Sequence, residues 1–311
     1  MPHAAPEWRT DPVTGRRILL SPVRAERPIQ PAGVCPFCEF HEGETPHETS
    51  AVRAPGSQPN GPGWQVRVVP NRYAAVKPDA APHPHREHAP GVAEVVVEGP
   101  RHETHFHRQP PALVRSAVRV WRDRLKHWRD DGRFAFGQVF KNEGPTAGAS
   151  LSHCHSQLIA VSHVPPRVRD EVAHVAGLDW AGWLAAEEAG PRWLRQTAGL
   201  AVLCPSAPRF PGETWVVPRH DSPCFEHIDD ALCDDLADAL HDLLKRVANA
   251  FGGPDLNVMV KSAPFHGDAP NFRWRVEVMP RLMTPAGWEY ATGVLINPLM
   301  PETAVERLRA S

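Results

Sequence analysis

Residues 141–161 read KNEGPTAGASLSHCHSQLIAV. A polar, Gly-containing loop runs into His153-Cys154-His155-Ser156-Gln157 and then into an apolar tail, Leu158 to Val161. That order predicts a loop feeding a β-strand. Alternate residues of a strand share a face, so His153, His155 and Gln157 point one way and Cys154 and Ser156 the other. Packing does not require three polar neighbours on one face. They suit metal binding by one imidazole, nucleophilic attack by the next and oxyanion stabilisation by the carboxamide. A solvated edge strand in a chain with 18 His would give the same string. The choice between the two falls to the rest of the chain.

Upstream, AEVVVE (Ala93 to Glu98) predicts a strand that ends at Gly99-Pro100-Arg101-His102. A helix follows from Pro110-Pro111, with Pro favoured in the first turn. Leu113, Ala117, Trp121, Leu125 and Trp128 recur on one face at helical spacing. Phe134 to Phe140 is the next strand. The second half repeats this order. Glu213 to Pro218 is a strand ending at Pro218-Arg219-His220, and Asp229 caps a helix over Asp230 to Ala250. Its apolar face is Leu232, Leu236, Leu240, Leu243 and Val247, and Gly252-Gly253 stops it. Strands over Leu256 to Val260 and Arg273 to Met279 complete the copy. The register sets Arg273-Trp274-Arg275-Val276-Glu277 against His-Cys-His-Ser-Gln. The chain therefore reads as an α+β fold of two fused, diverged units, residues 1–165 and 166–311. Each has an antiparallel sheet with a packed helix, and only the first keeps the imidazoles. Arg167 to Ala189 reads as helical.

The 311 residues are 41% hydrophobic and 23% charged, which suits a soluble globular protein with a large core. The net charge of -2 implies no basic field for nucleic acid. No apolar stretch is long enough to cross a membrane and the N-terminus does not read as a secretory signal, so a cytoplasmic protein is expected. Six Cys in such a chain are thiols or metal ligands before they are disulfides. Cys35-Pro36-Phe37-Cys38 sits between loop-like flanks and suits zinc better than a redox helix start. Arg24 and Arg27 are two solvated arginines or a phosphate clamp, for which the forked guanidinium is suited. His83, His85 and His88, in a Pro-rich loop, read as solvated.

The segments DPVTGRRILLSPVRAERP, CPFC, VVPNRY, AEVVVEGPRHETHF, FKNEG, GASLSHCHSQ and GWEYATGVLINPLMPETAVERLR, in this order along nearly the whole chain, resemble the galactose-1-phosphate uridylyltransferases and the related ADP-glucose phosphorylases of the histidine-triad superfamily. The resemblance implies one structural Zn2+ site of Cys35, Cys38, His102 and His153. It makes His155 the nucleophile on the α-phosphorus of a nucleotide sugar, forming a nucleotidyl-histidine. The His153 carbonyl is the implied partner of its other ring nitrogen. Gln157 stands where hydrolase branches carry a third His. A carboxamide donates to a phosphoryl oxygen but delivers no proton, which favours transfer between phosphates over hydrolysis. Arg24, Arg27, Asn142 and Ser150 match phosphate contacts, Asn71 a nucleoside contact and Glu289 a sugar-hydroxyl contact. Arg273 and Arg275 replace a His-x-His pair that helps bind another metal in many relatives, so no second metal is expected there. Glu171 and His266 are read as its remnants, with an Arg–Glu pair in its structural place.

The implied activity is UDP-glucose:hexose-1-phosphate uridylyltransferase, a step of galactose metabolism. The alternative is adenylyl transfer from ADP-glucose to inorganic phosphate, since Cys154 stands where the uridylyltransferases most often have Pro. A nucleotide-sugar hydrolase and a nonenzymatic zinc module are the rivals of other classes. The partners expected are a nucleotide sugar and a sugar 1-phosphate or phosphate, with no nucleic acid and no membrane. Relatives of this kind are often homodimers.

Overall fold

The computed structural model of the chain describes residues 6–27, 33–78, 87, 88, 90–269 and 271–311. His83, His85 and the side chain of His88 lie outside the described residues. In chain order the strands are β1 (Glu7–Thr10), β2 (Arg17–Leu20), β3 (Ser50–Arg53), β4 (Trp64–Pro70), β5 (Glu87–His88), β6 (Gly91–Val97), β7 (Phe136–Glu143), β8 (His155–Val161), β9 (Trp193–Gln196), β10 (Leu200–Leu203), β11 (Thr214–Pro218), β12 (Leu256–Lys261) and β13 (Arg275–Pro280). The helices are α1 (Pro111–Asp131), α2 (Pro166–Val175), α3 (Trp180–Glu188), α4 (Asp230–Phe251), α5 (Gly287–Thr292) and α6 (Pro301–Arg309).

Among the described residues, ten strands form one antiparallel sheet in the order β3-β4-β6-β8-β7-β12-β13-β11-β10-β9. Read outward from the middle, the two halves are the same. β7, β8, β6, β4 and β3 on one side correspond to β12, β13, β11, β10 and β9 on the other. The halves join where β7 pairs with β12, with Asn142 opposite Asn257. β8 and β13 hold equivalent places, and they begin at His155 and Arg275 respectively. The α+β expectation, with antiparallel sheets and packed helices, is met.

The apolar stripes of α1 and α4 lie on one face of the sheet. Trp121, Leu125, Leu236, Leu240 and Leu243 are buried there together with Leu158, Val258 and Val276 from the strands. Burying each such side chain contributes about 1.5–3 kcal/mol, so this layer dominates the stability of the fold. Val114 and Val118 are buried beside the predicted α1 stripe, whereas Leu113 is only half-buried. Asp229 caps α4 by accepting from the Leu232 N–H at 2.8 Å, and Gly252 ends it at φ 75°.

The opposite face is covered by other parts of the chain. In the second half α2 and α3 cover it. The helical stretch expected over 167–189 is divided into two helices. Asp179 accepts from the Gly182 N–H at 3.0 Å and starts a new helix. Asn271 donates to the Val175 and Leu178 carbonyls, at 2.6 and 2.9 Å, and fixes the break. In the first half this face is covered by the CPFC segment, and there the candidate site is built.

Candidate active site and metal centre

The CPFC loop is short; it closes on itself and is tied to the segment that follows β6. The Cys38 N–H donates to the Cys35 carbonyl at 3.2 Å, and the Glu39 N–H to the Pro100 carbonyl at 2.9 Å. This places both sulfurs beside His102 and His153. Cys35 Sγ and Cys38 Sγ each lie 3.6 Å from His153 Nδ1, and Cys38 Sγ is 3.6 Å from His102 Nδ1. All four ligand atoms fall within 4.8 Å of one another. Bond lengths of about 2.3 Å to sulfur and 2.0–2.1 Å to nitrogen at a tetrahedral angle give an S···N separation of about 3.5 Å, so the donor set fits zinc. Both imidazoles present Nδ1 and use Nε2 elsewhere. His153 Nε2 is 2.8 Å from the Gly99 carbonyl, and His102 Nε2 is 3.1 Å from Ser152 Oγ. Such outer hydrogen bonds fix tautomer and ring direction in metal sites. Burial and the charge of Cys35 push the Cys38 thiol up to about 11, so a cation is what makes a dithiolate favourable here. Four protein ligands would hold the ion in a closed, structural site.

β8 begins at His155, two residues later than the sequence suggests. The Cys154 backbone bonds instead to Glu98 and Glu103 as His153 turns toward the sulfurs. The alternation survives this bend. His155 Nδ1 is 2.7 Å from the His153 carbonyl. Only a protonated Nδ1 can make that bond, so the neutral ring keeps its lone pair on Nε2. Burial, and secondarily the Lys141 and Arg27 charges, depress the His155 pKa to about 3, against the opposing pull of the carbonyl. The ring borders a cavity of about 430 Å3, which Arg27, Asn71, Ser150 and Gln157 also line. Pro36, Phe37, Pro46, Val69 and Leu151 give it apolar walls, while Glu44, Arg72 and Tyr73 add polar groups. The size and the few convergent polar groups are those of a small-molecule site. Burial and the neighbouring Arg24 charge lower the Arg27 pKa.

Not every predicted residue reaches this cavity. Arg24 Nη1 donates to the Tyr73 carbonyl at 3.4 Å and is not among the residues that line the cavity. Asn142 accepts from Asn257 Nδ2 at 2.9 Å, on β7 two positions beyond the Phe140–Gln157 pair. Glu289 is half-buried and accepts from the Ala286 N–H at 2.9 Å, closing the first turn of α5. In the second half, Arg275 Nη2 pairs with Glu171 Oε1 and Glu277 Oε1, both at 2.6 Å. Its guanidinium lies 4.5 Å over the Trp215 ring. Arg273 pairs with Asp221 and stacks on Trp180, and His266 is exposed.

Two features escaped the sequence reading. Phe37, between the knuckle sulfurs, packs on His155 with ring centroids 5.3 Å apart; its place inside CPFC was the available signal. Lys141 is buried on the reverse of the sheet. Its Nζ donates to Glu98 Oε2 at 2.6 Å, Cys154 Sγ at 3.0 Å and the His155 carbonyl at 3.1 Å. Burial opposes its charge, but the anionic neighbours prevail and its pKa is raised. Burial keeps Cys154 a thiol. The signal was a Lys at an inward position of FGQVFKNE.

Residues 65–165 match the family described as galactose-1-phosphate uridyl transferase, N-terminal domain. The ADP-glucose phosphorylase of Arabidopsis thaliana is 29% identical, over 99% of this chain and 93% of its own. The galactose-1-phosphate uridylyltransferase of Thermotoga maritima is 28% identical, over 97% of this chain and 98% of its own. The crystal structure of the Arabidopsis ADP-glucose phosphorylase with bound ADP-glucose superposes with a TM-score of 0.80 at 30% identity, covering 99% of each chain. With the doubled antiparallel sheet, the Cys–His cluster and the oriented His155 all in one chain, the protein belongs to the galactose-1-phosphate uridylyltransferase family of nucleotidyltransferases, the histidine-triad family that includes the ADP-glucose phosphorylases.

Proposed function

We propose that the protein moves a nucleoside monophosphate from a nucleoside diphosphate hexose to a phosphate acceptor through a covalent nucleotidyl-His155. The observation that carries this reading is the 2.7 Å bond from His155 Nδ1 to the His153 carbonyl, which leaves Nε2 as the nucleophile at a cavity of nucleotide size. The Nε2 lone pair attacks the α-phosphorus, and the bond to the sugar 1-phosphate oxygen breaks. That leaving group departs as a phosphate ester and needs no proton at neutral pH. An oxygen of the acceptor phosphate then attacks the same phosphorus, the P–N bond breaks and the neutral imidazole returns. Arg27, Ser150 and the Gln157 carboxamide face this volume and neutralise or donate to phosphoryl oxygens. Cys35, Cys38, His102 and His153 would hold zinc, which would contribute a rigid anchor. It would hold His153, whose carbonyl aims His155, and would take no part in the bond changes.

ADP-glucose with inorganic phosphate as acceptor is the first substrate pair. Its support is the likeness to the Arabidopsis ADP-glucose phosphorylase across nearly the full length of both chains. UDP-glucose with a hexose 1-phosphate is the second reading, supported by the equally long likeness to the Thermotoga uridylyltransferase. Incubation with each nucleotide sugar in turn, without acceptor, followed by intact mass measurement, tests both. An adduct of one nucleoside monophosphate, absent from His155→Ala, is the expected result, and its mass names the base. Steady release of sugar 1-phosphate with no adduct in either incubation would replace transfer by hydrolysis.

A further inference from the structure

On the reverse of the sheet from the cavity, the segment after His102 makes a short turn before α1, and its side chains meet the end of β7. His105 Nδ1 lies 2.8 Å from Glu143 Oε1, and the Phe106 N–H donates to Glu143 Oε2 at 2.9 Å. The His107 ring lies beside that of His105, with centroids 5.4 Å apart. One ligand atom from each of His105, His107 and Glu143 falls within 4.8 Å of the other two. Glu143 is buried and the imidazoles are half-buried. His107 Nδ1 is enclosed by protein and has no hydrogen-bond partner. A buried ring nitrogen without a partner is costly, and nothing in the nucleotidyl-transfer reading uses it.

We propose that His105, His107 and Glu143 form a second cation site, separate from the Cys35–Cys38–His102–His153 cluster. Two imidazoles and one carboxylate are a donor set for a borderline divalent ion such as Zn2+ or Co2+. Three protein ligands leave a fourth position for water on the half-exposed side of the rings. Lys141, the nearest buried cation, is already neutralised by Glu98. The remaining neighbours are Arg108 and Glu103, of opposite charge, and His241, whose Nε2 is also enclosed without a partner. The ion would tie the turn before α1 to the last residue of β7, directly ahead of the loop that leads to Ser150. The site adds a metal beyond the single zinc that the sequence implies.

The test uses the full chain saturated with Zn2+, freed of loose metal by gel filtration and assayed by elemental analysis, beside His107→Ala, Glu143→Gln and Cys35→Ser. His107→Ala removes a half-exposed ring whose buried nitrogen bonds to nothing, so its melting temperature reports whether the fold is intact. The wild type should retain two equivalents and His107→Ala one, with its thiols still protected from alkylation. Glu143→Gln keeps an acceptor for the Phe106 N–H and should weaken Zn2+ binding at this site at least tenfold in a calorimetric titration. Cys35→Ser should lose the other equivalent and keep this one. Equal zinc content in wild type and His107→Ala, or a wild type holding a single equivalent that Cys35→Ser abolishes, would overturn the proposal.

Discussion

Lys141 Nζ donates to Glu98 Oε2 at 2.6 Å in a fully buried pair, and the same ammonium reaches the His155 carbonyl at 3.1 Å. His155, the proposed nucleophile, is thus held from both sides of its strand. The His153 carbonyl fixes its ring, and Lys141 fixes its backbone. Lys141→Met strands the Glu98 carboxylate without a counter-charge, which costs about 3–5 kcal/mol in a buried pair. That is a large share of the stability of an ordinary domain. The double variant Lys141→Met/Glu98→Gln should recover most of the loss, as measured by urea unfolding. It should still turn over more slowly than wild type, because the His155 carbonyl has lost its donor. Single and double variants of equal stability would show that the pair carries no such charge.

Removing the zinc proposed for the knuckle should act on catalysis through position. Dialysis against a zinc chelator is expected to expose Cys35 and Cys38 to a thiol reagent, while Cys154, Cys204, Cys224 and Cys233 stay buried. Activity should fall in step with the appearance of those two thiols. Full activity with both thiols titrated would dissociate the anchor from the nucleophile.

Gln157 donates but cannot deliver a proton. Gln157→Ala should slow transfer on the order of 100-fold, the usual effect of losing one oxyanion donor. Gln157→His should raise acceptor-independent release of sugar 1-phosphate by roughly tenfold or more, since a general acid–base group contributes at least that much. Coupled assays with and without acceptor separate the two. An unchanged hydrolysis rate in Gln157→His would mean that water, rather than the proton, limits hydrolysis.

At the place of β13 equivalent to His155, Arg275 bridges Glu171 and Glu277 under Trp215. Arg275→Met should cost about 3 kcal/mol, softened because Lys261 and Arg209 still face these carboxylates. It should leave adduct formation at His155 intact. Thermal unfolding and intact mass on the same sample check the two halves of that statement. A loss of adduct at unchanged stability would join this site to the reaction.

How far the sequence reaches differs between elements. The helix stripes of α1 and α4 are written in local spacing, and Asp229 and Gly252 mark the ends of α4, because caps and periodicity act within a few residues. The helix break at Asp179 was missed because Asn271, distant in sequence, holds it. The strands β3, β9 and β10 were missed because four-residue strands carry too little period to stand out from loops. Within the site, the knuckle spacing and the strand alternation marked Cys35, Cys38, His153, His155 and Gln157. Glu289 and Asn142 could be named from their motifs, but their hydrogen bonds to Ala286 and Asn257 could not.

The sequence by itself determined the doubled α+β plan, legible in the repeated order of elements, and it marked the knuckle thiols and the face on which His155 stands, which follow from residue type and short-range period. Tertiary structure decided which groups meet. It joined the halves through β7 and β12, laid Phe37 on the His155 ring and drove the Lys141–Glu98 pair into the core. It also gathered His105, His107 and Glu143. Those contacts depend on where long-range pairing brings separate segments together, and a buried charge is tolerated only once its partner is in place.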